Sequence, residues 1–296
     1  MRGNSHSQRS SGFDPIELVD MADLSERLVD RIREASALGT PLRITGGDTK
    51  HFLGREPRGE RVDVSGHTGV LSYEPTELVL TVRSGTSIAE TQAVLNESGQ
   101  CLAFEPPEFE SAATIGGTIA SGLSGPCRPY RGSVRDFVLG VTCVNGRGES
   151  LRFGGQVMKN VAGYDVSRLM VGAMGTLGAI LDVSFKVLPM PEVEQTRVYE
   201  VSEEMAIAKM NEWAAQPWPL SAACYLKNRL RIRLSGTEAG VAAAARELGG
   251  VQDPEGSPFW RALREQYLPF FESADVLWRL VVPPATPPLG LLGNGL

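Results

Sequence analysis

Cysteine is scarce in this sequence, and the cysteines that occur lack the spacings of metal sites. Cys101, Cys127, Cys143 and Cys224 are widely separated, with no C-x-x-C pair and no clustered histidines. This pattern argues against a structural zinc site or an iron–sulfur cluster held by this chain. We therefore predict no metal site, and free thiols in a reducing, cytoplasmic compartment.

Blocks of like charge and long apolar runs are also missing. The 29 basic and 35 acidic residues give a net charge of -6 without a run of one sign, so nucleic acid is not a predicted partner. The uncharged stretches 111–127 and 280–296 are interrupted by glycine, hydroxyl residues or proline. We expect membrane association to be peripheral or through partners, if it occurs. Residues 1–15 lack the apolar region of a secretory signal and are predicted to be a disordered lead-in.

Short strands alternate with short helices in the first two-thirds of the chain. Strands are predicted at LRIT, after Pro41, and at residues 77–85, and a capping box at Ser87 and Glu90 predicts a helix to about residue 97. Asn145-Gly146 lies between two β-like runs, which indicates a hairpin. The strand AILDVSFKV follows Gly178.

A different pattern follows the linker at residues 189–195. The order β-α-β-β-α-(α)-β predicts a small ferredoxin-like α+β sandwich over residues 195–288, with a hairpin at Lys227-Asn228. We expect Ser257 to be the N-cap of its third helix and VLWRLVV, residues 276–282, to be its closing strand. Arginines alternate along the hairpin, which favours a solvated strand face over a carboxylate-binding clamp: Arg229, Arg231, Arg233.

Three glycine-rich segments lie in the first part of the chain. We call residues 45–50 (TGGDTK) the first glycine segment, residues 113–125 (ATIGGTIASGLSG) the second, and residues 172–178 (GAMGTLG) the third. None has the G-x-x-x-x-G-K-[ST] or G-x-G-x-x-G spacing, so a P-loop and a Rossmann fingerprint are absent. Each is compatible with a structural turn, but several such loops that converge can bind a diphosphate through backbone N–H groups.

Taken together with PPEF before the second segment, RGSVRDFVLGVTCVNGRGE and KNVAGYDVSRLMV, these segments resemble the FAD-binding domain of the vanillyl-alcohol oxidase and p-cresol methylhydroxylase (PCMH-type) superfamily. Within this superfamily, the sequences of these motifs are most similar to those of the FAD-binding E subunits of bacterial glycolate oxidase. The resemblance implies an α+β fold, with a two-part PCMH-type FAD-binding domain over residues 16–190 and the ferredoxin-like domain as its cap or substrate domain. It also implies that this cap is shortened at its C-terminus, with an irregular tail over residues 289–296.

The resemblance further implies which residues bind FAD. In the first glycine segment they are Gly46, Gly47, Asp48, Thr49 and Lys50; around the second they are Pro106, Thr114, Ile115, Gly116, Gly117, Ser121, Gly122 and Gly125; later in the chain they are Gly163, Tyr164, Asp165, Gly175 and Ile180. We expect the Thr114 hydroxyl and the Gly116 and Gly117 amides to contact the phosphates and the ribityl chain. Asp165 is equally compatible with a helix N-cap, and Tyr164 with simple packing.

The relatives also suggest an activity for the chain. They imply a complex that oxidises glycolate to glyoxylate, in which this subunit works with a larger flavoprotein subunit and an iron–sulfur subunit. FAD is expected to be non-covalent, because Asp48 lies where some relatives carry a linking histidine, although His51 is close. No histidine follows His67, so no catalytic residue is predicted. A free-standing D-2-hydroxy-acid dehydrogenase and a non-catalytic assembly subunit remain alternatives.

Overall fold

The computed structural model describes residues 22–155, 164–272 and 276–290, so the predicted lead-in lies outside the described residues. In chain order the helices of these ranges are α1 Ser25–Leu38, α2 Ile88–Glu97, α3 Ile115–Ser121, α4 Arg128–Arg131, α5 Val134–Phe137, α6 Val166–Leu169, α7 Glu203–Ala214, α8 Glu238–Leu248, α9 Gly256–Arg264 and α10 Pro269–Glu272. The strands are β1 Leu42–Thr45, β2 Glu60–Asp63, β3 Val70–Glu74, β4 Val79–Arg83, β5 Gln100–Cys101, β6 Val138–Val144, β7 Ser150–Gly154, β8 Ala179–Lys186, β9 Leu188–Pro189, β10 Val193–Glu200, β11 Leu220–Leu226, β12 Arg229–Gly236 and β13 Val251–Gln252.

The first part of the chain forms two layers that share β8. Helix α1 packs on the parallel pair β1 and β2 through Leu28, Ile32 and Val62, which also contact Leu181 of β8. Five antiparallel strands form a second sheet in the order β3-β4-β8-β6-β7. One face of this sheet is apolar and buries α2 and α3 in the main hydrophobic core. The first glycine segment follows β1, and the second includes α3, so both lie where the two layers meet.

Helix α2 begins where its capping box predicts. The Ser87 side chain accepts the backbone N–H of Glu90 at 3.0 Å, and the Glu90 carboxylate accepts the N–H of Ser87 at 2.9 Å. Two of the four unpaired N–H groups at the helix start are thereby satisfied by local contacts. This places the end of β4 and the start of α2 in a tight turn beside α3.

The later part of the chain is a ferredoxin-like unit, which we define as residues 193–272. Its sheet has the order β11-β12-β10-β13, with β10 antiparallel to both β12 and β13. Helices α7 and α8 cover one face through a core that includes Trp213, Ile232 and Val241. The βαββαβ order predicted from the sequence is therefore confirmed.

Two details of that prediction are wrong. The closing strand is β13, which pairs with Arg197 and Val198 directly after α8, whereas residues 276–282 form no strand. Their apolar side chains are exposed, with Trp278 80% exposed, because the fourth sheet position is already filled by β13. Helix α9 begins at Gly256 with Glu255 as its N-cap, so Ser257 is the second residue of the helix and caps nothing.

Both predicted hairpins form, but one turn differs from the expected one. Strands β11 and β12 are joined by Lys227 and Asn228, both with positive φ (51° and 58°), as a two-residue type I′ connection requires. Strands β6 and β7 are joined by the five residues 145–149, and the left-handed residue is Gly148 at φ 73°. Gly146 therefore has no conformational role in this turn.

Candidate functional site

The first glycine segment lies directly against the start of the second. A Cβ atom added to Gly46 would lie 2.7 Å from the hydroxyl oxygen of Thr114, and one added to Gly47 would lie 1.6 Å from the carbonyl oxygen of Ala112. Carbon atoms do not approach oxygen so closely, so neither position has room for a side chain. The two backbones can meet only because these residues are glycines.

The second segment is fixed to the end of β4 through its own backbone. The Gly116 N–H donates to the Ser84 carbonyl at 2.7 Å, and a Cβ on Gly116 would lie 2.6 Å from the Ser84 Cβ. The Thr114 hydroxyl caps α3 by accepting the Gly117 N–H at 3.2 Å, and Ile115 is fully buried. The expectation that the Gly116 and Gly117 amides are open to a ligand is thus corrected: both are used to build the fold.

Unpaired backbone donors lie instead in the first segment. The N–H groups of residues 46–50 donate no hydrogen bond to any described residue. Asp48 has a positive φ of 54°, and its carboxylate accepts from Arg43 at 3.0 Å. Consecutive N–H groups in such a turn form a concave site that attracts anions.

The third segment closes against the end of α3. Gly122 ends that helix with a φ of 67°. A Cβ atom added to Gly122 would lie only 3.1 Å from the Cα atom of Gly172. The Gly172 N–H donates to the Ile119 carbonyl at 3.0 Å, and Gly175 lies beside the Ile44 side chain of β1. All three glycine segments therefore converge at the seam between the two layers.

Other predicted residues of this region serve the fold. The Ser121 hydroxyl donates to the Thr118 carbonyl at 3.1 Å, within its own helix. Gly125 packs against the carbonyl oxygen of Glu105, 2.4 Å from the position of an added Cβ. Ile180 is 6% exposed and belongs to the main core. These three residues support the glycine segments without presenting a free polar group to them.

The predicted residues around position 164 are not brought to the segments by a described contact. Asp165 is the N-cap of α6 and accepts the Arg168 N–H at 3.1 Å, so the N-cap interpretation holds. Tyr164 is 96% exposed, and Gly163 lies outside the described residues. Pro106 is buried at the entrance to the second segment.

Lys50 gives the site a buried positive charge. Its side chain is 9% exposed, and Nζ lies 3.2 Å from the Thr49 hydroxyl and 5.6 Å from the Phe109 ring centre. No described carboxylate oxygen lies within 4.0 Å of this ammonium group. Desolvation lowers the pKa of Lys50 below its ordinary value, while the charges of Glu265 and Glu108 act in the opposite direction. The ammonium group therefore keeps donors for a further anionic partner.

A family model described as an FAD binding domain matches residues 16–154 of this chain. Glycolate oxidase subunit GlcE of Escherichia coli (strain K12) is 48% identical over 274 residues, which cover 93% of this chain and 78% of that protein. This chain belongs to the GlcE family. FAD is its cofactor, as the resemblance implied, and the family is one of FAD-dependent oxidoreductases.

More distant proteins share part of this GlcE-family chain. Glycolate oxidase subunit GlcD of Bacillus subtilis (strain 168) is 35% identical over 43% of this chain and 27% of its own length. D-lactate dehydrogenase of Anaerostipes hadrus is 31% identical over 45% of this chain and 28% of its own. An alkyldihydroxyacetonephosphate synthase structure matches with a TM-score of 0.63 at 16% identity, covering 83% of this chain and 54% of its own. These matches confirm the predicted α+β, PCMH-type fold.

Two findings limit what else the GlcE-family chain carries in its described residues. No helix among them is long and apolar enough to cross a bilayer. No group of three or more histidine, cysteine and acidic side chains among them is arranged to hold a metal ion. The candidate site offers backbone N–H groups, hydroxyls and the Lys50 ammonium group, which together are donors suited to phosphate oxygens.

Several residues at this site were missed by sequence reasoning. Phe109 and Glu265 contact or face Lys50 from a loop and from the ferredoxin-like unit, respectively. The prediction of a solvated arginine face holds for Arg229, which is exposed, but it is wrong for Arg233, which is 6% exposed and whose guanidinium lies 2.5 Å from the Glu105 carboxylate. Arg231 is paired with Asp253 at 3.0 Å. In the sequence, the Pro106-Pro107 pair indicates a rigid loop here. The contacts of that loop with Arg233 and Glu265 join residues more than 100 positions apart, so no local sequence pattern predicts them.

Proposed function

We propose that this chain is the FAD-binding subunit of a glycolate oxidase complex, which oxidises glycolate to glyoxylate together with a larger flavoprotein subunit and an iron–sulfur subunit. The observation that carries the proposal is the convergence of the glycine segments on a row of unpaired N–H groups beside a buried lysine. Similarity to GlcE over 93% of the chain supports the substrate and the assembly.

In this proposal the FAD diphosphate is held by the first glycine segment. The N–H groups of Gly46, Gly47 and Thr49 and the ammonium group of Lys50 would donate to its oxygens, and the Thr114 hydroxyl lies beside Gly46. Charge-assisted hydrogen bonds to phosphate are about twice as strong as neutral ones. The remaining residues predicted to bind FAD act by shaping this cradle or stay predictions.

We also propose that FAD is held without a covalent bond. His51 directly follows the first glycine segment, and its Nδ1 lies 2.8 Å from the carbonyl oxygen of Asp48, within its own turn. The other described histidine, His67, is fully buried and accepts the Leu24 N–H through Nδ1 at 3.1 Å. In both described histidines, one ring nitrogen thus contacts a backbone group.

FAD, when bound, supplies the two-electron acceptor for the oxidation of a hydroxy acid. The chain's own residues would bind and orient the diphosphate, and we assign none of them as a base for the substrate hydroxyl. No histidine follows His67 in the sequence, and the arginines of β12 are paired with acids. This supports a reaction that depends on the partner subunits, with an iron–sulfur subunit taking the electrons. We propose that the complex is cytoplasmic, and that any membrane association is peripheral or through the partners.

The experiment is to purify the chain with its native partners and to measure flavin and activity together. We expect FAD to be released on acid denaturation and glycolate to reduce an acceptor dye. No released flavin and no glycolate-dependent reduction would refute the proposal.

The similarity to D-lactate dehydrogenase favours one alternative, a free-standing FAD-dependent D-2-hydroxy-acid dehydrogenase. This alternative requires the isolated chain to reduce the dye with D-lactate. If instead a flavin-free variant still assembles a fully active complex, the chain is a non-catalytic assembly subunit.

A further inference from the structure

A carboxylate of the ferredoxin-like unit holds the backbone of a loop in the FAD-binding part. Glu265 is 6% exposed, and one oxygen, Oε2, accepts the N–H of Glu108 at 3.0 Å and the N–H of Phe109 at 2.7 Å. The Tyr267 hydroxyl donates to the Phe109 carbonyl at 2.9 Å. Both backbone groups of Phe109 are therefore bound by residues more than 150 positions later in the chain.

The same loop is fixed at its other end. Glu105 has a positive φ of 46°, and its carboxylate accepts from the Arg233 guanidinium at 2.5 Å and from the Cys127 N–H at 3.1 Å. Arg233 is itself held by the Ser221 hydroxyl at 2.8 Å. The ferredoxin-like unit thus grips both ends of the segment from residue 105 to residue 109.

Phe109 connects this loop to the first glycine segment. Its ring lies edge-on to the Phe52 ring at a centre distance of 5.0 Å, and the Lys50 ammonium lies 5.6 Å from its centre. Phe109 also has a positive φ of 63°, which is unfavourable for a bulky side chain and persists only where neighbouring contacts enforce it. The contacts that enforce it are those of Glu265 and Tyr267.

We propose that Glu265 is a positioning residue for FAD: it holds Phe109 in its strained conformation, so that the ring packs on Lys50 and Phe52 and fixes the shape of the first glycine segment. Glu265 binds the backbone of Phe109, and the Phe109 ring contacts Lys50 and Phe52 at the end of the first glycine segment. FAD affinity is therefore set partly by the ferredoxin-like unit, which itself supplies no proposed FAD contact. This inference rests on the proposed position of the FAD diphosphate at the first glycine segment, but it does not depend on the substrate.

The test is FAD affinity of the full chain, measured by titration of the apoprotein, with the melting temperature of each apoprotein recorded in parallel. Glu265→Ala should weaken FAD binding about tenfold. Glu265→Gln should restore part of this loss, because its amide oxygen can accept both N–H groups that now bind Oε2, whereas its NH2 group cannot accept from Arg264 Nε as Oε1 does at 2.6 Å. Glu212→Ala, at an exposed position of α7, is the matched control and should leave the affinity unchanged.

A double-mutant cycle separates positioning from general stability. Phe109→Ala should weaken FAD binding to a similar degree, and adding Glu265→Ala to it should cause less than about a twofold further loss, because both changes break one chain of contacts. A lower melting temperature with unchanged FAD affinity, or fully additive losses, would overturn the proposal. If Glu265→Ala does not fold, Phe109→Ala decides alone: an affinity equal to that of the unmodified chain refutes the inference.

Discussion

Gly47→Ala tests the proposed cradle with the smallest possible change. The φ of Gly47 is not in the left-handed region, so alanine is compatible with the backbone, and the effect is steric. The added Cβ would lie 1.6 Å from the Ala112 carbonyl oxygen, whereas real Cβ atoms stay at least 3.0 Å from such a neighbour. The first and second glycine segments must therefore separate by at least 1.4 Å.

The magnitude follows from that displacement. Forcing an extra carbon into a packed contact costs about 1–3 kcal/mol, and here the strain falls on the two segments that form the cradle. Because the proposed cradle requires this close approach, we expect the strain to appear as lost FAD affinity. A loss of about 1.4 kcal/mol or more corresponds to at least tenfold weaker FAD binding.

The assay is FAD titration of the apoprotein, followed by flavin fluorescence. Gly146→Ala is the matched control, because its Cβ would meet nothing within 4 Å and its φ is not positive. The control should bind FAD as the unmodified chain does. If Gly47→Ala binds FAD with unchanged affinity in a folded protein, the first glycine segment does not hold the diphosphate and the proposed site is wrong.

Three further predictions follow from the same contacts. Gly116→Val should abolish FAD binding, since its Cβ would lie 2.6 Å from Ser84; a yellow, folded variant would contradict this. Lys50→Met should weaken FAD binding but raise the melting temperature of the apoprotein, because a buried, desolvated charge is removed. The sign of the pH effect follows from the lowered pKa of Lys50. The unfolded chain binds more protons than the folded one between that pKa and the ordinary 10.5, so apoprotein stability should rise with pH there, while FAD affinity falls. A flat pH titration of both quantities would count against a charged Lys50 in the site.

Local patterns in the sequence predicted the elements whose stabilising contacts are local. The capping box of α2 and the Lys227-Asn228 turn involve residues within a few positions of each other, and both form as predicted. The sequence predicts the wrong closing strand for the ferredoxin-like unit, because residues 276–282 have a stronger β pattern than Val251 and Gln252 of β13. The two residues of β13 form the closing strand by pairing with β10. Two residues are too few for a sequence pattern to predict that pairing.

At the candidate site, too, features with local causes could be predicted from the sequence, whereas features that depend on distant residues could not. The positions of the glycines could be predicted, since close backbone approach demands glycine whatever the partner is. Which amides stay open could not, because the Gly116 N–H is taken by Ser84, 32 positions earlier, while Gly47 has no such partner. The roles of Phe109 and Glu265 depend on a contact between residues 156 positions apart. Only the three-dimensional arrangement brings those two residues together.

A buried lysine without a direct ion pair is more easily explained by binding than by stability. Burial disfavours the ammonium form of Lys50, and the charges of Glu265 and Glu108 favour it without forming a salt bridge to it. A chain selected for stability alone gains by replacing such a residue with an apolar one. A diphosphate bound beside Lys50 would supply the missing counter-charge. The unfavourable free energy of the buried charge in the apoprotein would then be offset on binding. The position of Glu265, which both holds Phe109 and favours the charged form of Lys50, then ties the ferredoxin-like unit to FAD affinity by two physical routes.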